Sequence, residues 1–202
     1  MSSTHAWVLA SGNRGKLAEF EALLRDTGLD LQLQGDLGIE SAEETAGTFL
    51  ENALLKARHA SRLSGLPAIA DDSGLVVDAL DGAPGVRSAR FAGQSCSDAD
   101  NVAALLAALD GVPEERRTAR FHCTIVALRR DDDPMPLVAQ GQWEGLIATI
   151  AKGQGGFGYD PVFIEPTSGL TAAQLKADVK NRLSHRAQAL VRLRTWLGPA
   201  DR

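Results

Sequence analysis

The stretch Pro67 to Leu80, PAIADDSGLVVDAL, sets two adjacent carboxylates directly behind a short apolar run. Ala68, Ile69 and Ala70 read as a short buried strand, and Leu75 to Val77 as a second apolar run, with a break expected at Ser73-Gly74. Asp71 and Asp72 are therefore expected where a strand leaves the core. Carboxylates there suit a hard cation such as Mg2+, held by oxygen, or can take a proton from a water poised for attack. In isolation DDSG reads as an Asp-Asp turn completed by Ser and Gly, so the rest of the chain must decide.

With 202 residues and 44% apolar content, the chain can bury a sizeable core as one domain or two small lobes. No linker, repeat or low-complexity tract interrupts it, so residues 1–202 are read as a single domain. A net charge of -5 with both signs mixed argues against a duplex nucleic-acid partner and leaves a small polyanion as the ligand class. Cys96 and Cys123 form neither a disulfide framework nor a C-x-x-C metal pair, and a reducing, cytoplasmic setting is expected. The apolar run Ala6 to Ala10 falls far short of the roughly 20 residues of a membrane span, so no membrane partner is expected.

Outward from the Asp pair, Ala6 to Ala10 reads as a first strand, and SGNRGK, Ser11 to Lys16, as the turn opening a first helix that Gly28 stops. Such a turn points backbone N–H groups and a positive helix end at an anion, and Lys16 adds a full charge. It is not a Walker A loop, because Ala10 stands at the first glycine and Leu17 follows the lysine. Leu29 to Leu33 alternates as a strand, and an acidic segment with Glu40, Glu43 and Glu44 follows. Thr48 opens a long helix, with Phe49, Ala53, Ala57 and Ala60 on one face, that runs to Gly65. Lys56 and Arg58 on that helix read as solvated cations.

Gly82 to Gly93 is an irregular loop. Asp98 or Asp100 is expected to cap a helix carrying Leu105 and Leu109. Ala119 to Arg129 and Leu137 to Thr149, separated by DDDP, read as an antiparallel hairpin, with His122 and Trp143 as ordinary strand residues. GQGGFGYD, Gly153 to Asp160, contains G-x-G-x-x-G but leads into a strand at Val162 to Ile164, not into a dinucleotide-binding helix. What remains is a flexible glycine loop presenting Phe157 and Tyr159 beside Asp160, able to stack on a planar base or to bury an aromatic in a turn. Thr171 to Gln174 is a capping-box pattern expected to open a helix. Lys180 and Ser184-His185-Arg186 lie before the last helix, an anion-favouring start. Cationic helix starts, acidic groups fit for a divalent metal and an aromatic glycine loop together point to a nucleoside triphosphate.

SGNRGK, SAEET with TFLENALLKARHA, AIADDSGL, GAPGVRSARFAG, ARFHC, GGFGYDP and KNRLSHRAQAL fall in order over nearly the whole chain. On these motifs the sequence resembles the inosine triphosphate pyrophosphatase family, which hydrolyses non-standard purine nucleoside triphosphates. The resemblance implies an α/β fold with a long mixed β-sheet and flanking helices forming two lobes around a central nucleotide-binding cleft. It also implies a homodimer and Mg2+-dependent cleavage of ITP, dITP and XTP to the monophosphate and pyrophosphate. Residue by residue, it makes Asp72 the catalytic proton acceptor and a metal ligand, and Glu43 the second ligand, with Glu44 beside it. Ser11, Gly12, Asn13, Arg14, Gly15 and Lys16 match the phosphate-binding turn. Lys56, Ser73, Phe157, Gly158, Tyr159, Asp160, Lys180, His185 and Arg186 match substrate contacts, with His185 and Arg186 as expected donors to the purine 6-oxygen. Ser11 stands where the family usually has Thr, and Val179 where an acidic residue often precedes the lysine. A pyrophosphatase for other nucleotides and a non-hydrolysing sensor are the alternatives, and the acidic groups speak against the second.

Overall fold

The computed structural model describes residues 5–198. Its strands and helices follow in the order β1 (His5–Leu9), α1 (Arg14–Leu24), β2 (Leu29–Leu33), α2 (Phe49–Ser64), β3 (Ala68–Val77), α3 (Asp98–Ala108), β4 (Thr118–Leu128), β5 (Leu137–Ile147), β6 (Phe163–Ile164), α4 (Ala177–Leu183) and α5 (His185–Leu197). The six strands form one sheet in the order β2-β1-β3-β4-β5-β6. β1 runs parallel to both β2 and β3, whereas β5 and β6 are antiparallel, so the sheet is mixed as expected of this α/β class. No described helix is long and apolar enough to cross a membrane.

Two compact units divide the chain, and the division falls within β3, β4 and β5 and after the first residue of α5. The first comprises the residues up to Asp72, Cys123–Gly141 and those from Arg186 on. Its part of the sheet carries a core on each face. Trp7, Leu9, Leu31, Leu33, Ile69, Ile125 and Ala139 pack with Phe20 and Leu24 of α1 and Leu190 and Leu193 of α5. Val8, Ala10, Ala68, Ala70, Val126 and Leu128 pack with Ala53, Ala57 and Ala60 of α2. The alanine stripe read from the sequence is thus the buried face of α2, capped by Thr48 at its start and by Gly65 at φ 70° at its end.

The second unit, Ser73–His122 and Gln142–His185, has its own core. Leu75, Val77, Phe121, Trp143, Ile147, Tyr159 and Phe163 pack there with Val102, Leu105 and Leu109 of α3 and its C-cap. Buried Arg117 closes the end of α3: it donates from Nε to Val112 O (3.0 Å) and from Nη2 to Leu109 O (2.8 Å), and from Nη1 to Ala148 O (3.3 Å).

Four local expectations change. β3 runs unbroken through Ser73-Gly74, because the strand continues from one core into the next, and the Asp pair lies mid-strand instead of at a strand end. Ser97, not Asp98 or Asp100, is the N-cap of α3, with Asp100 answering it in a capping box. The Thr171–Gln174 box is present but closes a single 3-10 turn, Ala172–Gln174, not a helix. Val162 lies outside β6, which begins at Phe163.

A Cβ built on Gly145 of β5 would lie 2.5 Å from both Ile164 O and the Phe163 ring. Gly145→Ala therefore forces β6 away from β5 and is expected to cost about 1–3 kcal/mol, read as a lower urea midpoint at unchanged slope.

Candidate active site

β3 alternates its side chains between the two packed faces of the first unit. Ile69 faces α1 and α5, while Ala68 and Ala70 face α2. The same alternation sends Asp71 and Asp72 to opposite sides. Asp71, 1% exposed, accepts from Lys16 Nζ at 2.9 Å and from Arg186 Nε at 3.3 Å, and Arg186 Nη1 continues to Glu19 Oε2 at 2.8 Å. Burial alone would raise the Asp71 pKa, but Lys16 and Arg186 overcome it and hold the carboxyl far below the usual carboxylate range. Burial likewise disfavours the charge on Arg186, and Asp71 and Glu19 more than restore it.

On the α2 side, Asp72 Oδ1 accepts from Lys56 Nζ at 2.9 Å and Oδ2 from Asn52 Nδ2 at 3.2 Å. The same Lys56 Nζ donates to Glu44 Oε1 at 2.7 Å, so two carboxylates share one ammonium. Burial, with the charge of Glu44 adding to it, raises the Asp72 pKa against the pull of Lys56 and Asn52. For Lys56 burial works the other way, and Asp72 and Glu44 prevail to raise its pKa. Asn52 is fully buried and its Oδ1 accepts from Ala46 N at 3.0 Å, while His59 Nε2 lies 3.0 Å from Glu40 O. Residues 52, 56 and 59 thus lie one turn apart along a single helix face and fasten the acidic segment 40–46 to α2.

The Ser11–Lys16 turn is a capped helix start. Ser11 Oγ accepts from Asn13 N at 3.0 Å, and Asn13 Oδ1 accepts from the amides of Gly15 (2.8 Å) and Lys16 (3.2 Å). Gly12 is exposed, and exposed Arg14 pairs with Asp36 at 2.9 Å.

In the second unit, Gly153, Gly156 and Gly158 all take positive φ, and a Cβ on Gly156 would lie 2.0 Å from Asp160 Oδ2. The loop can close over Asp160 because glycine stands there. Buried Asp160 accepts from Phe157 N at 2.8 Å and from Lys180 Nζ, and that ammonium stands 4.7 Å from the centroid of the Phe157 ring. Phe157 is 54% exposed. Tyr159, expected to be displayed beside it, is instead buried in the core and donates from its hydroxyl to Ser88 O at 2.8 Å. Gly158 N donates to Asp98 Oδ2 at 2.7 Å. Lys180 sits inside α4 and not at a helix start. Half-buried Ser73 lies in β3, and His185 opens α5 with its ring stacked on Phe121, centroids 4.9 Å apart.

Of the two candidate second ligands, Glu43 is exposed and Glu44 is the one that meets Asp72 through Lys56. Asn52, Glu19 and Ser88 went unnoticed in the sequence. Asn52 had a signal, a polar residue four before Lys56 on an alanine face, whereas Glu19 and Ser88 depend on long-range packing. Among the described residues no three His, Cys, Asp or Glu side chains converge as a ready-made metal cage. The pair Glu44 and Asp72, already holding one cation, nonetheless fits magnesium, which takes one or two carboxylates and completes its shell with water and substrate phosphate.

Known proteins resemble this chain over most of its length. The model of the Ham1 family matches residues 7–196. A dITP/XTP pyrophosphatase of Yersinia pseudotuberculosis is 60% identical over 91% of this chain and 93% of its own. One from Xanthomonas oryzae is 59% identical over 92% and 94%. Among solved structures, a HAM1 protein from Coxiella burnetii superposes with a TM-score of 0.91 at 48% identity, covering 96% of this chain and 98% of that one.

Asp71→Asn removes one partner of a buried ion network and is expected to cost about 3–5 kcal/mol at pH 7. The depressed carboxyl contributes its stability above its unfolded pKa of about 3.9 and loses it as pH falls from there toward the much lower folded value. Urea unfolding should therefore show a gap between wild type and Asp71→Asn that narrows steadily below about pH 4.

Proposed function

The chain belongs to the Ham1 family, and from that premise we propose that it is a nucleoside triphosphate pyrophosphatase acting on dITP, XTP and ITP. The products are the monophosphate and pyrophosphate, the ion required is Mg2+, and the working form is a cytoplasmic homodimer. One observation carries the catalytic assignment: buried Asp72 shares a single ammonium with Glu44 and keeps its second oxygen on Asn52. That is a carboxylate pair built around a cation, and one member of it, Asp72, has a raised pKa that brings it nearer the range of a useful general base.

Asp72 and Glu44, in place of Glu43, would hold Mg2+, which when bound would supply neutralisation of the charge on the phosphate chain. Asp72 takes the proton of the attacking water. Lys16 and Lys56 reach the phosphates from the positions where carboxylates now hold them, and the Ser11–Lys16 turn contributes its amides and Ser11. Phe157 offers its exposed face to the purine, with Lys180 fixed against the ring and Asp160 shaping the loop beneath. Ser73, Gly158 and His185 remain assigned to the substrate, with His185 meeting the 6-oxygen. A donor there is left unpaired by the amino group of adenine, which sites of this kind reject strongly. Arg186, buried between Asp71 and Glu19, is assigned to anchoring the site, and Tyr159 contributes the backbone of its loop.

Pyrophosphate release measured across dITP, XTP, ITP, ATP, GTP and dTTP with Mg2+ tests the reading. The deaminated purines should exceed ATP and GTP in kcat/KM by about a hundredfold or more, and equal rates, or orthophosphate as product, refute it. Asp72→Asn should lower kcat by about 10²-fold or more with the protein still folded. Phe157→Ala should weaken ITP by about 1–3 kcal/mol, read in KM.

A further inference from the structure

Lys56 occupies the point between Glu44 and Asp72 that the proposed function gives to Mg2+, and the inference here rests on that reading. Its side chain is only 12% exposed, and the two carboxylates that neutralise it are the two proposed metal ligands. We propose that Lys56 is a resident counter-ion that fills the metal position in the nucleotide-free protein and is transferred to the phosphate chain when metal and nucleotide arrive together.

Three features support this. A divalent ion added while the ammonium stays in place meets a like charge between the same two carboxylates, so the metal must displace Lys56 to gain both ligands. Once displaced, a mostly buried ammonium needs another anion, because water is largely excluded from its position. A triphosphate supplies one, and it also supplies the oxygens that complete the magnesium shell. Finally, the transfer requires only the flexible four-carbon stem of a lysine to swing. α2 stays seated through Ala53, Ala57 and Ala60, and Asn52 and His59 keep the acidic segment fastened while Lys56 is away. Lys16 lacks this character, since the Asp71 that holds it is also held by Arg186. On this account free metal binds weakly, and the nucleotide is what opens the metal position.

The test is Mn2+ binding to nucleotide-free protein, followed by electron paramagnetic resonance, for wild type, Lys56→Met and Lys56→Arg. Lys56→Met should bind Mn2+ at least about tenfold more tightly than wild type, because its carboxylates have lost their own cation. Lys56→Arg should stay at the wild-type level, and Mg2+ alone should raise the Tm of Lys56→Met more than that of wild type. Equal or weaker Mn2+ binding by Lys56→Met overturns the proposal. If Lys56→Met does not fold, the Nζ resonance of Lys56 in 15N-lysine-labelled wild type carries the same test. It should hold still with Mg2+ alone and shift when Mg2+ is added with a non-hydrolysable triphosphate analogue; movement with Mg2+ alone overturns the idea. The Mn2+ titration contains no nucleotide, so its failure is distinct from failure of the substrate reading, which wild-type pyrophosphate release decides separately.

Discussion

Everything in the first unit that bears on chemistry depends on the two-residue period of β3. Consecutive side chains of a strand leave on opposite faces, and here two consecutive side chains are aspartates preceded by Ile69 and Ala70, whose partners differ. Asp71 is delivered to the side built by α1 and α5, where Lys16 and Arg186 hold it. Asp72 is delivered to α2, where Lys56 and Asn52 hold it. Shifting the strand by one residue would exchange them and leave each carboxylate facing the wrong partners. The alanines of α2 and β3 belong to the same constraint. Ala53, Ala57 and Ala60 against Ala68 and Ala70 let helix and strand approach closely, and the short Asn52 side chain reaches Asp72 because they do.

Much of this was legible in the chain itself. The Thr48-to-Gly65 helix with its alanine face, the Leu29–Leu33 strand and the two long strands on either side of DDDP all follow from periodicity and capping chemistry, and each appears where expected. The family could be read from its motifs. What could not be read were the places where tertiary packing outweighs a local signal. Ser73-Gly74 looked like a break because glycine and serine favour turns, yet β3 runs on through them, with Ser73 half-buried and Gly74 buried. Tyr159 looked like a companion to Phe157 because the two are near neighbours in one loop, yet the positive-φ glycines rotate the backbone enough to send one ring outward and the other into the core. Glu43 and Glu44 are chemically identical in the sequence, and only the path of the acidic segment across α2 distinguishes them.

The carboxyls of the two β3 aspartates are shifted in opposite directions although both are buried. Asp71 is met by two cations, Lys16 and Arg186, whose attraction exceeds the cost of burial, and its carboxyl is driven far down. A group in that state gives up protonation as an option and acts as a fixed negative charge that orients its partners. Asp72 must share Lys56 with Glu44, so attraction is divided while burial and the neighbouring carboxylate push the other way, and its pKa rises. A carboxylate held that way retains affinity both for a proton and for a stronger cation, the two properties the proposed hydrolysis asks of Asp72. The character of each carboxyl therefore depends on how the cations are apportioned between neighbouring residues, and that apportionment follows from which face of one strand each aspartate occupies.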